Sequence, residues 1–304
     1  MRIPSVSVLG MLLALTARGI SPGWAAEAGI TSVPPPSVQP IPALAVPMPE
    51  LPSGTTVPML PDLPRLTPAE AVVEAGRLRT ELAAEVPNLL NLSPDEKRSW
   101  VARAQAEAAT AGFTVDRPQL VVVVDRNPRV QQLVIVVANP ALPWEVIGGT
   151  RVSTGQSGRK LYYITPTGVF LHTADILDFR AQGTFNENHI RGYGLKGMRI
   201  WDFGWQWATK GWRPDGERGQ IRLQLHATDP EYLESRIGRP ASEGCVRVPA
   251  ALNRFLDRHG VLDVEYEQQA VQDVRYRALL LPDRQPSPVA GRALIVVDSG
   301  GHDA

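Results

Sequence analysis

The residues best suited to chemistry are a cysteine, a histidine and an arginine in the second half of the chain. Cys245 is the only cysteine among 304 residues, and Gly244 and Arg247 stand beside it in "ASEGCVRVP". His226 ends an earlier segment, "IRLQLHAT", and a loop separates it from the cysteine. An imidazole that reaches a thiol removes its proton and stabilises the thiolate, which is the reactive nucleophile. If the chain folds back between them, these residues form a thiol–imidazole pair.

The N-terminus indicates where such a thiol would work. Residues 1–25 begin with Met1 and Arg2, continue with the apolar run "VSVLGMLLALTA" and end among small residues, which predicts a cleaved signal peptide. A membrane anchor is the alternative interpretation, although the run is short for a membrane span. We expect an exported protein of the periplasm or cell wall. A single cysteine forms no internal disulfide, so the thiol is reactive, intermolecular or buried.

Composition argues against several other kinds of function. The 31 basic residues equal the 31 acidic ones, so the net charge gives no reason to expect nucleic acid as a partner. One cysteine excludes a multi-thiolate zinc site, and no His-x-x-x-His pattern occurs. We therefore expect neither a metal nor a cofactor.

The first part of the exported chain predicts a linker and two helices. Residues 26–66 are rich in proline and predict an extended linker, either a tether or a disordered tail. Two capping boxes follow, beginning at Thr67 and Ser93, and each has proline at the first helical position. They predict a helical hairpin over residues 67–112, whose apolar face packs on the main domain; a separate binding module is the alternative.

The pattern then changes to strands. "QLVVVVD" and "VQQLVIVVAN" are β-branched runs divided by a turn signal. Residues 119–265 predict a mainly β domain with minor α content, in which "PAALNRFLDRHG" is the one evident helix. A last strand, in "GRALIVVDSG", falls in a C-terminal extension, 266–304, and the pattern does not place it.

These residues together resemble a known family. His226, a gap, and then "SEGCVR" resemble the signature of the L,D-transpeptidase (YkuD-like) family. Upstream, "VSTGQSGRKLYYITPTGVF" is similar to the "STG" turn and "TPTG" segment of that family. The resemblance covers residues 119–265. It implies a β-rich catalytic domain of packed, curved sheets with the cysteine at the base of a cleft, preceded here by the α-helical hairpin.

The resemblance also implies a reaction on peptidoglycan stem peptides. Cys245 would attack the carbonyl of the third stem residue, usually a diamino acid, and expel the terminal D-alanine. The thioester would pass to an amine on a neighbouring stem, or on a wall-associated protein. His226 would act as the general base and then as the acid for the leaving amine.

Four further residues receive roles from the resemblance. The backbone N–H groups of Gly244 and Cys245 would hold the developing oxyanion. Arg247 would pair with a carboxylate of the donor stem, because a forked guanidinium suits bidentate contact, and Ser242 is expected at the substrate. Ala227 cannot orient the His226 ring through its side chain, so its backbone carbonyl is the expected partner of the ring N–H.

Glu243 departs from the signature, which has histidine directly before Gly-Cys. A carboxylate near the sulfur raises the pKa of the thiol and opposes activation. Alternatively, Glu243 turns away or pairs with Arg247 or Arg239.

Tryptophans in "WDFGWQWATKGW" are a second group of interest. They pack in the core along a hairpin, or they form a wall over the cleft, where tryptophan faces bind sugar and peptide surfaces. On the second interpretation Trp205 and Trp207 are substrate-binding residues.

Two alternatives to the transpeptidase remain open from the sequence. A hydrolase on the same fold, of the L,D-carboxypeptidase or endopeptidase type, would pass the acyl group to water with the same reactive residues. A non-catalytic wall-binding protein would keep the fold alone, and Glu243 is the feature in its favour.

Overall fold

The computed structural model describes residues 60–300. The predicted signal peptide, 1–25, and residues 26–59 of the predicted linker lie outside the described residues. From residue 60 to the first helix the chain has no regular secondary structure. Within the described range, none of the helices is long and apolar enough to span a bilayer.

The elements are as follows. The helices of residues 60–300 are α1 (Pro68–Glu85), α2 (Pro94–Thr110), α3 (Ala250–Arg258), α4 (Val264–Ala270) and α5 (Val274–Leu279). The strands in the same range are β1 (Gln119–Asp125), β2 (Gln132–Ala138), β3 (Glu145–Arg151), β4 (Tyr163–Ile164), β5 (Gly168–Leu171), β6 (Phe179–Arg180), β7 (Arg199–Lys210), β8 (Arg218–Ala227), β9 (Val246–Val248) and β10 (Ala293–Val297).

The strands form two mixed sheets. The first has the order β3-β2-β1-β10-β5, and the second has the order β4-β7-β8-β9 with β6 also paired to β7. Most neighbours are antiparallel, but β1 is parallel to β10 and β8 is parallel to β9. The predicted fold class, mainly β with minor α, is confirmed.

Both faces of the first sheet are buried. In β1, Leu120, Val122 and Val124 belong to one core cluster, whereas Val121 and Val123 belong to another. The first cluster also contains the inner side chains of the second sheet and of α1 and α3. Because neither face of β1 meets water, the strand is a continuous apolar run instead of an alternating one.

The two N-terminal helices begin where the capping boxes predict. The side chains of Thr67 and Ser93 each accept a hydrogen bond from the backbone N–H three residues on, and the glutamate carboxylate there accepts from the backbone N–H of the cap residue. The helices cover opposite faces of the first sheet, with Leu78 and Leu82 of α1 in one core cluster and Trp100 of α2 in the other. Each apolar stripe is thus occupied by a face of the first sheet.

The C-terminal strand is part of the central architecture. β10 lies between β1 and β5, and its residues Ala293–Val297 are buried throughout. Val123 of β1 pairs with Ile295, which pairs in turn with Val169 of β5. The predicted division at residue 265 does not match this topology, because the first sheet is continuous only through a strand beyond it.

Shortening Ile295 tests whether β10 is structural. We expect Ile295→Ala to lower the free energy of unfolding by about 2–5 kcal/mol, because it leaves a cavity in the middle of a sheet. Val274→Ala, at a position 68% exposed in the same C-terminal region, should change it by no more than about 0.5 kcal/mol. Chemical denaturation of both variants measures the difference, and equally small effects would show that β10 is dispensable.

Candidate active site

The parallel pairing of β8 and β9 brings the cysteine and histidine segments together. His226 pairs with Arg247, and Leu225 pairs with Val246. Cys245 enters β9 two residues before Arg247, so alternation places both side chains on the same face as His226. His226 is buried, whereas Cys245 is partly exposed, and its thiol donates to the carbonyl oxygen of Arg222 at 3.6 Å.

The hydrogen bond of His226 fixes its tautomer. Nδ1 lies 2.7 Å from the carbonyl oxygen of Ala227. Since a carbonyl only accepts, Nδ1 carries the proton and Nε2 carries the lone pair. The Tyr193 ring meets the imidazole edge-on, with centroids 4.8 Å apart. Ala227 therefore lies where the sequence places it, and its part in catalysis stays a prediction.

Burial keeps both reactive groups neutral. It lowers the pKa of His226 to about 3, and the charge of Arg247 adds to this effect. Burial also raises the pKa of Cys245 to about 11; Asp202 and Glu243 contribute, while the Gln224 backbone and Arg247 act in the opposite direction. Near neutral pH the site therefore holds a thiol and a neutral imidazole. Proton transfer must accompany attack on a substrate.

A threonine hydroxyl joins three motif segments at the cysteine. Oγ1 of Thr165 donates to the carbonyl oxygen of Gly244 at 2.7 Å, and Oγ1 itself accepts from the Gly155 N–H at 2.8 Å. Ser153 and Arg247 exchange backbone hydrogen bonds of 2.9 and 2.8 Å. The "STG" and "TPTG" segments thus hold the loop that carries Cys245.

Ser242 supports this loop and does not line the site. Its side chain is buried; Oγ donates to the carbonyl oxygen of Cys245 at 2.5 Å and accepts from the Gly244 N–H at 3.1 Å. Two expectations are corrected. The Ser242 hydroxyl, expected at the substrate, is used in the turn, and it occupies the Gly244 N–H, which was expected to hold the oxyanion. Gly244 has φ of 135°, and a Cβ there would lie 2.7 Å from Cδ1 of Ile221, so the turn requires glycine.

The charged neighbours of Cys245 differ in freedom. Arg247 is half-buried, and its Nη1 donates to the Ala241 carbonyl oxygen at 3.2 Å. Glu243 is exposed and forms no ion pair with any residue between 60 and 300. The Glu243 carboxylate contributes to the raised pKa of Cys245, which fits the interpretation that it opposes activation of the thiol.

A polar network on the same face was missed by sequence reasoning. The Asp202 carboxylate, 2% exposed, accepts from Nε of Arg222 at 2.7 Å and from Nε2 of Gln224 at 2.9 Å. Gln224 in turn accepts from the hydroxyl of Tyr193 at 3.1 Å. Alternation in "IRLQLHAT" places Arg222, Gln224 and His226 together, but no local signal points to Asp202 or Tyr193.

A β-bulge turns two tryptophans outward. The register between β7 and β8 passes from Asp202–Gln224 to Trp205–Arg222, with one extra residue on β7. Gly204 takes the left-handed conformation there, with φ of 74°. Trp205 and Trp207 are consequently 62% and 56% exposed, whereas Trp201 is fully buried. Trp201 therefore packs in the core, whereas Trp205 and Trp207 lie at the surface beside the site.

One cluster has ligand atoms close enough for a metal. Within residues 60–300, His172, Asp178 and Asp263 offer atoms within 4.8 Å of one another, and all three are buried. The Arg199 guanidinium already reaches Asp178 at 2.8 Å and Asp263 at 3.1 Å. Although burial opposes it, Asp178 raises the pKa of His172 above its usual value. The carboxylates are thus balanced by side-chain cations beneath the second sheet.

Comparison with known proteins gives no family for the chain. No family model and no curated protein matches the sequence. Among solved structures it is similar to a fused Zn-dependent amidase/peptidase/peptidoglycan-binding domain-containing protein from Clostridium acetobutylicum, with 12% identity and a TM-score of 0.25. The match covers 68% of this chain and 65% of the other, so this chain spans just under two thirds of that protein. At this TM-score the likeness supports no conclusion about fold or function.

Alkylation of Cys245 tests the electrostatics of the site. Because burial raises the pKa of the thiol to about 11, we expect its reaction with iodoacetamide to be slow at pH 7. The rate should rise about tenfold per pH unit up to pH 10, following the thiolate fraction.

Glu243→Gln provides the matched comparison for this measurement. Removing the exposed carboxylate lowers the thiol pKa, so alkylation at pH 8 should be faster by about twofold. Mass spectrometry of the labelled peptide measures both rates. A rate that is already high at pH 7 and independent of pH would contradict the neutral thiol.

Proposed function

We propose that this protein is a cysteine-dependent L,D-transpeptidase that acts on peptidoglycan after export to the periplasm or cell wall. The observation that carries the proposal is the Thr165 hydroxyl, which joins Gly155 and Gly244 and so gathers three family-like segments at Cys245. The partly exposed thiol and the imidazole tautomer support the same chemistry. No cofactor takes part in this proposal.

The mechanism begins with a donor stem peptide over the outer face of the second sheet. As the Cys245 sulfur attacks the carbonyl carbon of the third stem residue, Nε2 of His226 takes the thiol proton. The tetrahedral intermediate collapses when the carbon–nitrogen bond to the terminal D-alanine breaks, and His226 gives its proton to that amine. A thioester on Cys245 and free D-alanine result.

The second half transfers the acyl group to an amine. The acceptor nitrogen attacks the thioester carbonyl, His226 removes a proton from the nitrogen, and the sulfur leaves and regains a proton. The Cys245 N–H remains the proposed oxyanion donor, since the Gly244 N–H is occupied by Ser242. If water replaces the amine, the same steps shorten the stem, which is the hydrolase alternative.

The decisive experiment uses the mature protein with disaccharide-tetrapeptides and analysis by mass spectrometry. We expect crosslinked dimers and released D-alanine from the native protein, and neither from Cys245→Ala. His226→Gln should lower the rate by about 10²–10⁴-fold, the usual contribution of a general base.

Each other outcome has a distinct meaning. Shortened stems without dimers would identify the hydrolase. If the substrate is unchanged in all samples but the protein still binds peptidoglycan, both enzyme functions would be excluded and the wall-binding protein would be favoured.

The exposed tryptophans should serve binding more than stability. We expect Trp205→Ala to weaken binding to purified peptidoglycan while changing the free energy of unfolding by less than about 1 kcal/mol, because the ring lies at the surface. The control, Trp201→Ala, removes a buried ring and should cost about 3–5 kcal/mol. Sedimentation with peptidoglycan and chemical denaturation measure the two quantities. Retained binding in Trp205→Ala would remove this residue from the substrate surface.

A further inference from the structure

Arg222 lies beside the thiol on the outer face of the second sheet. Its carbonyl oxygen accepts from Sγ of Cys245 at 3.6 Å, so its backbone is in direct contact with the nucleophile. Its side chain is 45% exposed and lies on the outer face of β8, opposite Trp205 of β7. A group bound by this guanidinium would therefore lie close to a carbonyl under attack.

Asp202 holds the Arg222 guanidinium by one edge only. The buried carboxylate accepts from Nε at 2.7 Å, and it is itself fixed by the Gly204 N–H at 2.8 Å. Within residues 60–300, the two Nη groups of Arg222 donate no hydrogen bond. The fork is thus oriented in advance, and its terminal amino groups keep their donors free in a side chain that is 45% exposed. Such a fork matches the two oxygens of a carboxylate, and its orientation costs little entropy on binding.

Arg247, the carboxylate partner expected from the resemblance, is less available. Its Nη1 donates to the Ala241 carbonyl oxygen, and its Nε is buried without a partner in the described range. Its backbone is tied to Ser153 on the neighbouring segment. Arg247 therefore serves the loop and the charge of the site, while Arg222 has the more exposed side chain of the two.

We infer that Arg222, oriented by Asp202, is the specificity-determining residue that binds a carboxylate of the donor stem beside Cys245. This inference rests on the proposed function, since the donor is the stem peptide named there. Two carboxylates lie near the scissile bond: one on the side chain of the third residue, when that residue is a diamino diacid, and one on the terminal D-alanine. Both have the chemistry that the guanidinium recognises.

The test compares three synthetic donor tetrapeptides. One has both carboxylates free, one has the side-chain carboxylate amidated, and one has the terminal carboxylate amidated. We expect native protein to prefer the free peptide over one amidated form by about 10- to 100-fold in kcat/KM, the range of a charge-assisted hydrogen-bond pair. The disfavoured form identifies which carboxylate is bound.

Arg222→Gln should bring this preference ratio close to one. Loss of the guanidinium also leaves Asp202 unbalanced near the thiol and slows all three donors alike, but the ratio cancels that common effect. Arg222→Lys, which keeps the charge without the fork, should retain part of the preference. The control is Arg218→Gln on the same strand, an exposed arginine that donates to the Trp207 carbonyl oxygen, and it should keep the native ratio.

Binding separates this inference from the proposed function. Titration calorimetry of the same peptides with Cys245→Ala protein, with and without Arg222→Gln, should give the same preference in Kd. A preference that depends on Arg222 in binding, without turnover by native protein, would overturn the transpeptidase and keep the carboxylate site. A preference that survives Arg222→Gln, or that Arg247→Gln alone removes, would overturn the inference.

Discussion

The position of the nucleophile depends on β9, a strand of only three residues, Val246–Val248. One edge of β9 pairs in parallel with β8, and the other exchanges backbone hydrogen bonds with Ser153. A parallel pair is connected through a long excursion of the chain, and here that excursion is the loop between His226 and Cys245. Held on both edges, β9 fixes the cysteine backbone relative to the histidine.

The two sides of the second sheet differ in their electrostatics. On the outer side, burial leaves the Cys245 thiol and the His226 imidazole uncharged near neutral pH, so the nucleophile is a thiol before the substrate binds. Beneath it, Arg199, Asp178 and Asp263 form a buried charged group linked by hydrogen bonds. Removing one member of such a group leaves an uncompensated buried charge, which is strongly destabilising. The rigid charges thus support the sheet, while the reactive groups become charged only during reaction.

Local signals in the sequence predicted the local structure. The capping boxes located both N-terminal helices, and the β-branched runs located β1 and β2. The resemblance selected the cysteine loop and the glycine-containing segments as motifs, whereas their contact through Thr165 is seen only in the structure. Features that depend on distant pairing were not predicted: the central position of β10, the bulge at Gly204 that turns Trp205 outward, and the contact of Arg222 with Asp202. Each depends on the register between strands, which cannot be read from the sequence of one segment alone.

The central place of β10 has a consequence for how the chain becomes native. β1 and β5 are both synthesised long before β10, yet the strand that joins them is the last in residues 60–300. Until it arrives, each presents an unpaired hydrophobic edge, and such edges promote association between chains. Pairing between residues so far apart in sequence also slows folding, because the entropy of loop closure is lost before the strand contacts stabilise the chain. Late synthesis of β10 therefore lengthens the period in which the nascent chain can associate with its own copies.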